Sequence, residues 1–292
     1  MSLALRKGYE IQDRLGRGSF GEVYACTGPD GKLLAAKLEP RRAKGKARGG
    51  PSQLKYEERV YRLLAGGSGI PNIVDYFTDG DYNILIMQRM GKSLEDALEE
   101  QGGTLGARAV LAIGVRLLQA LRHIHERGMI HRDLKPQNMM LSTDRNDSRV
   151  YLIDFGLSKR FMDPVTGHVS YARNRRGLTG TPRYASVSSH LGAEQSRRDD
   201  LESLVYILLY LRTGNLPWQG LPGKTKKEKY ARVREMKQQT SSLRLANGFP
   251  EPYVEFVDRV RGLGFEEDPP YDRLMHLLRE AAAAVAPADS TK

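Results

Sequence analysis

The stretch "HRDLKPQN", residues 131–138, sets an acid, an amine and an amide within one short run: Asp133, Lys135 and Asn138. A carboxylate at Asp133 can receive a hydroxyl proton, Lys135 can steady charge on a migrating phosphoryl group, and Asn138 can offer an amide oxygen to magnesium. Downstream, "VYLIDFGLS" (150–158) closes an apolar strand with Asp154, a hard oxygen donor suited to the same metal. Alone, Asp-Phe-Gly reads as a turn; after the first pattern, in this order and at this distance, coincidence has little room.

Working outward, "LGRGSFGEV" (15–23) supplies Gly16, Gly18 and Gly21 between two strand-like runs. A dinucleotide fold would need a helix after such a turn, whereas Val23 continues as strand. Glycines in a hairpin let backbone N–H groups lie over phosphates, although a plain glycine-rich turn has the same spelling. The next strand ends "LLAAK" at Lys37, and Glu57 on the following helix is the candidate carboxylate to orient it; two separate surface charges are the alternative.

The elements around these motifs change character along the chain. From Tyr9 to about Leu38 the pattern predicts an antiparallel meander, then a basic, glycine-rich loop at 41–51, then a helix opened by Ser52. The loop carries a second reading as a targeting or anion-binding segment. Two more strands flank a "DGD" turn, so residues 1–90 form a small β-rich part with one main helix. Residues 91–286 read as helices, of which the segment at 199–214 is apolar on most faces and expected at the centre. A short flexible tail at 287–292 is expected, with fraying of the alanine-rich end before it. The fold class is therefore α+β, two-lobed.

The chain has 292 residues, 40% apolar and 28% charged, and 46 Lys+Arg against 35 Asp+Glu leave a formal charge of +11. That charge favours anionic partners without choosing among nucleic acid, acidic membrane, nucleotide or acidic protein. No aromatic-basic nucleic-acid signature and no zinc spacing accompany it, so specific nucleic-acid binding is not expected. The single cysteine, Cys26, reads as a core residue of a reduced interior. The N-terminus lacks the apolar run of a secretory signal, and the longest apolar run, "LVYILLYL" (204–211), is too short for a bilayer. A soluble monomer in the cytoplasm is expected, with the nucleus left open by "TKKEKYARVR" (225–234).

The ordered set of glycine loop, Lys37, Glu57, His131-Arg132-Asp133, Asn138 and Asp154-Phe155-Gly156 resembles the protein kinases. Most kinases carry Ala-Pro-Glu after the activation segment; here the text is "LTGTPRYASVSSHLGAEQSRRDDLESL" (178–204). With "SQLKYEE", "GGSGIPNI", "GDYNILIM", "KSLED" and "LPWQGLPGKTKKEKY", this resembles the casein kinase I family over about residues 9–280.

The resemblance implies a serine/threonine kinase using ATP and Mg2+ on acidic or phospho-primed proteins, active without phosphorylation of its own loop at Thr166, Ser170 or Thr179. It implies nucleotide contacts along the hairpin at Leu15, Gly16, Arg17, Gly18, Ser19, Phe20, Gly21, Glu22 and Val23. It adds Ala35 and Lys37, oriented by Glu57, with Met87 behind the adenine, Arg89 and Met90 as hinge, and Met140 as floor. Ser93 and Asp96 would meet the ribose, and Asn138 with Asp154 would hold the metal. Arg183, Gly220 and Lys229 match positions that receive a priming phosphate; Arg132, Lys159 and Arg176 match a second anion site; Asp200 would brace the catalytic loop. The methionines taken singly read as core fillers, and "KTKKEK" as a solvated helix face. Lys92, Pro182 and Val205 depart from the family pattern without removing a catalytic group. A pseudokinase scaffold would have lost metal or base residues, and Lys37, Asp133, Asn138 and Asp154 are all present. A small-molecule phosphotransferase would not need the substrate features at 180–230.

Overall fold

Alternation of apolar and polar residues builds the first part of the chain. In the computed structural model, which describes residues 3–18, 21–41, 52–172 and 177–286, six strands form one antiparallel sheet. They are β1 (Leu3–Ala4), β2 (Glu10–Gly18), β3 (Gly21–Thr27), β4 (Leu33–Pro40), β5 (Ile73–Asp79) and β6 (Tyr82–Gln88), in the order β1-β2-β3-β4-β6-β5. Successive side chains face opposite ways along a strand. Leu34, Ala36 and Leu38 of β4 therefore join Ile11, Cys26, Phe77, Ile84 and Ile86 in one core, which holds the cysteine, while Ala35 and Lys37 take the other face.

The helix α1 (Gln53–Leu63) starts where expected: the Ser52 hydroxyl accepts from the Lys55 amide at 3.0 Å. This cap satisfies one of the donors that a helix start leaves open. Leu54, Val60 and Tyr61 are buried on its inner face together with Glu57. The "DGD" turn is the two-residue link between β5 and β6, paired at Asp79 and Tyr82.

This unit comprises Met1–Gly91 together with Leu141–Gly156. Residues 141–156, grouped by the sequence reading with the helical part, pack with the sheet instead. The Leu152 amide donates to the Gly69 carbonyl at 2.8 Å, and the Phe155 ring meets Tyr61 edge to face at 4.9 Å. Periodicity sees the type of an element but not the partner that a short strand adopts.

The second unit, Lys92–Met140 with Leu157–Lys292, is helical. Its main helices are α2 (Leu94–Glu100), α3 (Ala107–Glu126), α4 (Val187–His190), α5 (Arg197–Thr213), α6 (Lys226–Gln239), α7 (Ser242–Leu245), α8 (Pro252–Gly262) and α9 (Tyr271–Ala284). Residues Leu204 to Leu211 of α5 are all buried, so this helix is central, as its all-round apolar text requires. Val205 lies inside this stretch, fully buried. The four-residue helices α4 and α7 were not expected; one turn carries too little periodicity to announce itself. The alanine-rich end, expected to fray, is helical to Ala284, with Ala281 buried and the Val285 carbonyl held by Arg108. The expected tail at 287–292 lies outside the described residues, as does most of the basic loop. Among the described residues no helix is long and apolar enough to cross a membrane.

The three glycines of the β2–β3 hairpin differ in what the fold asks of them. A Cβ on Gly21 would stand 2.0 Å from the Leu38 carbonyl oxygen, whereas a Cβ on Gly16 would meet nothing within 4 Å. Gly21→Ala should therefore lower the unfolding free energy by about 2 kcal/mol or more through overpacking against fixed backbone. Gly16→Ala should stay within about 0.5 kcal/mol, as ordinary surface substitutions do. Urea unfolding of both variants measures the contrast; equal losses would mean that the close β3–β4 approach is not what Gly21 serves.

Candidate active site

The candidate residues fall into two groups, one in each unit. In the sheet unit, Lys37 is 6% exposed near the end of β4, between Val23 and Leu85 on its neighbours. Its ammonium donates to Glu57 Oε2 at 2.7 Å and to Asp154 Oδ1 at 3.2 Å. Burial pulls the Lys37 pKa down, but the two carboxylates outweigh it and the net direction is upward, so the amine stays charged. Asp154 has φ +66°, a left-handed backbone that a non-glycine residue adopts at a cost of about 1–3 kcal/mol. The Asp154 amide donates to the Tyr61 hydroxyl at 3.2 Å, one turn along α1 from Glu57. Helical spacing marks Tyr61 as an apolar position of α1; its place i to i+4 from Glu57 on one helix face is what brings its hydroxyl beside the same charges.

Burial pushes the Glu57 carboxyl up against the pull of Lys37, and the acids gathered here offer carboxylate oxygens. That donor chemistry fits a hard divalent cation, which seeks carboxylate and amide oxygens. Among the described residues there is no group of three or more His, Cys, Asp or Glu side chains placed to hold a metal without further donors.

The rest of the predicted nucleotide set in this unit lies on the hairpin and on β6. Gly16, Arg17 and Gly18 of β2 pair with Val23, Glu22 and Gly21 of β3, a strand–turn–strand arrangement. Leu15 is half exposed, and Ser19 and Phe20 fall outside the described residues. Met87 is buried opposite Ala35, followed by half-buried Arg89 and Met90.

In the helical unit, the loop of the opening motif is braced from α5. The buried Asp200 carboxylate accepts from the backbone amides of His131 at 2.7 Å and Arg132 at 2.9 Å, and from the His125 imidazole at 3.0 Å. Burial pushes the Asp200 carboxyl up, but His125 and His131 outweigh it and hold it below the usual range. With both amides aimed at one carboxylate, Arg132 is turned to φ +69°.

Asp133 follows, 8% exposed. Its Oδ1 accepts from both the amide and the hydroxyl of Thr181, each at 2.8 Å, and its Oδ2 from Lys135 Nζ at 2.9 Å. The Asn138 side-chain NH2 donates to the Asp133 carbonyl at 3.1 Å, so that bond does not use the amide oxygen. Gly180 makes the Thr181 contact possible: at φ +88°, a Cβ there would stand 2.4 Å from the Arg132 carbonyl oxygen. Thr181 was not singled out from the sequence, since a Gly-Thr pair in a long loop has no periodic signature.

Other predicted residues are occupied within the fold. Ser93 is buried and caps α2, exchanging hydrogen bonds with Asp96, which is exposed. Met140 is half-buried and bridges to Ser93. Lys92 pairs with Glu100. Of the second anion set, Arg132 Nε donates to the Leu157 carbonyl at 2.6 Å, Lys159 pairs with Glu194, and Arg176 lies outside the described residues. The Glu194 carboxylate therefore already takes the Lys159 charge that the resemblance assigns to an anion.

Of the priming-phosphate set, the Arg183 guanidinium lies over the Tyr210 ring at 5.4 Å, and its carbonyl accepts from Trp218 Nε1 at 2.8 Å. Gly220 follows two residues after that tryptophan with φ +73°, and Lys229 is exposed on the first turns of α6.

A family model described as the protein kinase domain matches residues 9–263.

The segment after Thr181 rests on a second buried acid, Asp199. The Ser186 hydroxyl donates to its Oδ1 at 2.5 Å and the Ser196 amide to its Oδ2 at 2.8 Å. Burial pushes the Asp199 carboxyl up to about 7, against the two hydrogen bonds. The folded chain thus holds a proton that the unfolded chain releases near its ordinary value, so this contribution is greatest in acid and is lost as pH rises to about 7. Wild-type stability should fall relative to Asp199→Asn between about pH 5 and about pH 7, then run parallel to it. Chemical denaturation across that range measures the gap; a constant gap would mean that Asp199 keeps an ordinary pKa.

Proposed function

The chain belongs to the protein kinase family, and from that premise we propose that it is a serine/threonine kinase of the casein kinase I type, acting on acidic or phospho-primed proteins. Membership carries phosphoryl transfer from ATP with magnesium in general. The observation that supports a hydroxyl acceptor is at Asp133, whose carboxylate already takes a hydroxyl hydrogen bond from Thr181 at 2.8 Å. That is the reach a general base needs toward the proton it receives.

In this reading Asp133 orients the substrate hydroxyl and takes its proton as the oxygen attacks. Lys135, held at the other carboxylate oxygen, places a positive charge beside the transferring group. Lys37, locked by Glu57, presents its ammonium to phosphate oxygens as a fixed point charge. Magnesium, when bound, neutralises charge developing on the phosphates, and Asn138 and Asp154 are the residues that would hold it. Gly16, whose Cβ position is open in the fold, leaves its backbone clear of side chain for close approach of a nucleotide.

The priming preference rests on Arg183 and Lys229, on Gly220 between them, and on the charge of +11. A charge-assisted contact to phosphate is worth about 1.5–3 kcal/mol, roughly tenfold or more in selectivity. A monomer working in the cytoplasm, with the nucleus open, accords with the same reading.

The test is transfer from Mg-ATP to paired peptides, one with phosphoserine three residues before the acceptor and one with plain serine there. The primed peptide should be preferred about tenfold or more. Asp133→Asn should lower kcat by about 100- to 10,000-fold for both peptides without weakening ATP binding. Equal use of the two peptides would overturn the priming assignment. ATP binding with no transfer to either peptide or to casein would favour a scaffold.

A further inference from the structure

Lys237 of α6 is fully buried, with 0% exposure. A buried ammonium ordinarily needs a carboxylate, because removing the charge from water costs several kcal/mol. Among the described residues no carboxylate oxygen lies within ion-pair distance of it. Its Nζ instead donates to the backbone carbonyls of Ala185 at 2.5 Å and Pro182 at 3.0 Å. The rings of Tyr206 and Trp218 lie at 4.8 and 5.0 Å, and His190 Nε2 at 3.3 Å. Burial draws the Lys237 pKa down to about 7, with Glu202 opposing. Burial and the Lys237 charge also lower His190, to about 4, so the imidazole adds no second cation at neutral pH.

Pro182 and Ala185 flank Arg183 and Tyr184. The same segment is fastened at nearly every residue: the Arg183 carbonyl by Trp218, the Ser186 hydroxyl by Asp199, and the Val187 amide by Glu202 at 2.9 Å. The Arg183 side chain lies over the rings of Tyr184 and Tyr210. A cation kept at such cost under a loop, bonded to the carbonyls on both sides of one arginine, fixes the direction in which that arginine projects.

We infer that Lys237 is a positioning residue for the substrate loop, holding residues 182–185 so that Arg183 meets the phosphate of a primed substrate. This rests on the priming reading and deepens it. Loss of the ammonium leaves the Ala185 carbonyl without its side-chain donor and the Pro182 carbonyl with His190 Nε2 at 3.2 Å in place of two partners, and the loop tilts before the fold fails.

The experiment compares kcat/KM for the primed and unprimed peptides in wild type, Arg183→Ala and Lys237→Met, with KM for ATP measured alongside. Arg183→Ala should reduce the primed-to-unprimed ratio about tenfold, and Lys237→Met should reduce it by a similar factor while KM for ATP holds. A general packing defect would weaken ATP and both peptides together and leave the ratio intact. If Arg183→Ala collapses the ratio and Lys237→Met does not, the role of Lys237 is overturned and the priming reading stands. A wild-type ratio near one overturns both. Where Lys237→Met is not recovered folded, Lys237→Gln, which keeps an uncharged donor, is compared in the same way and should lose part of the ratio. Failure of both variants to fold would assign Lys237 to the core alone and overturn the inference.

Discussion

The helical unit depends on one buried carboxylate. Asp200 sits on the first turn of a helix buried along its length, so it cannot move without moving the core around Leu204 to Leu211. Three donors converge on it, two of them the amides of His131 and Arg132. Charge-assisted hydrogen bonds contribute about 1.5–3 kcal/mol each, enough to exceed the roughly 1–3 kcal/mol of a left-handed non-glycine backbone. The strain at Arg132 is therefore tolerated, and it aims Asp133 at Thr181. Core packing fixes a helix, the helix fixes a carboxylate, and the carboxylate fixes the catalytic loop.

The sheet unit solves a similar problem with opposite charge. Lys37 is placed on the face away from the apolar cluster by strand alternation alone, and Glu57 reaches it from a helix whose start is fixed by the Ser52 cap. Replacing such a buried pair by apolar side chains is often neutral or stabilising by about 1–4 kcal/mol. Its presence is poor grounds for a stability role, and a cleaner account is preorganisation: the ammonium is charged, desolvated and immobile before any phosphate arrives. Asp154 shares the same ammonium at 3.2 Å and carries its own backbone strain.

Much of this was legible in the sequence because it was carried by pattern. Strand-like runs between turn signals placed β4 and hence Lys37; helical spacing with Ser52 placed α1 and Glu57; the unbroken apolar run announced that α5 would be central. What escaped has a common physical cause: it depends on contacts between polar groups distant in the chain. Thr181 meets Asp133 across 48 positions, and Lys159 finds Glu194 across 35. Ser93 and Asp96, expected at a ribose, also form a capping box at the start of α2. Lys237 sits among lysines and arginines that do face water, so composition could not tell it from a solvated helix face.

The chemistry beneath residues 182–187 also bears on what that surface can attract. An exposed or ionised acid under the loop would repel a phosphorylated or acidic peptide, and in a low dielectric that repulsion reaches further than in water. Of the acids there, Asp199 is pushed up to about 7, and Glu202 accepts from the Val187 amide and the Tyr206 hydroxyl. The donors that face the loop from within are the Lys237 Nζ on the Pro182 and Ala185 carbonyls and Trp218 Nε1 on the Arg183 carbonyl, with ring faces beside the lysine. The Lys237 contacts hold residues 182–185 by their carbonyls, and the carboxylate that acts on Arg183, Glu95, is engaged by the Tyr210 hydroxyl at 2.9 Å. In the priming reading, attraction for an acidic peptide then rests on the arginine and lysines of a chain whose basic excess is +11.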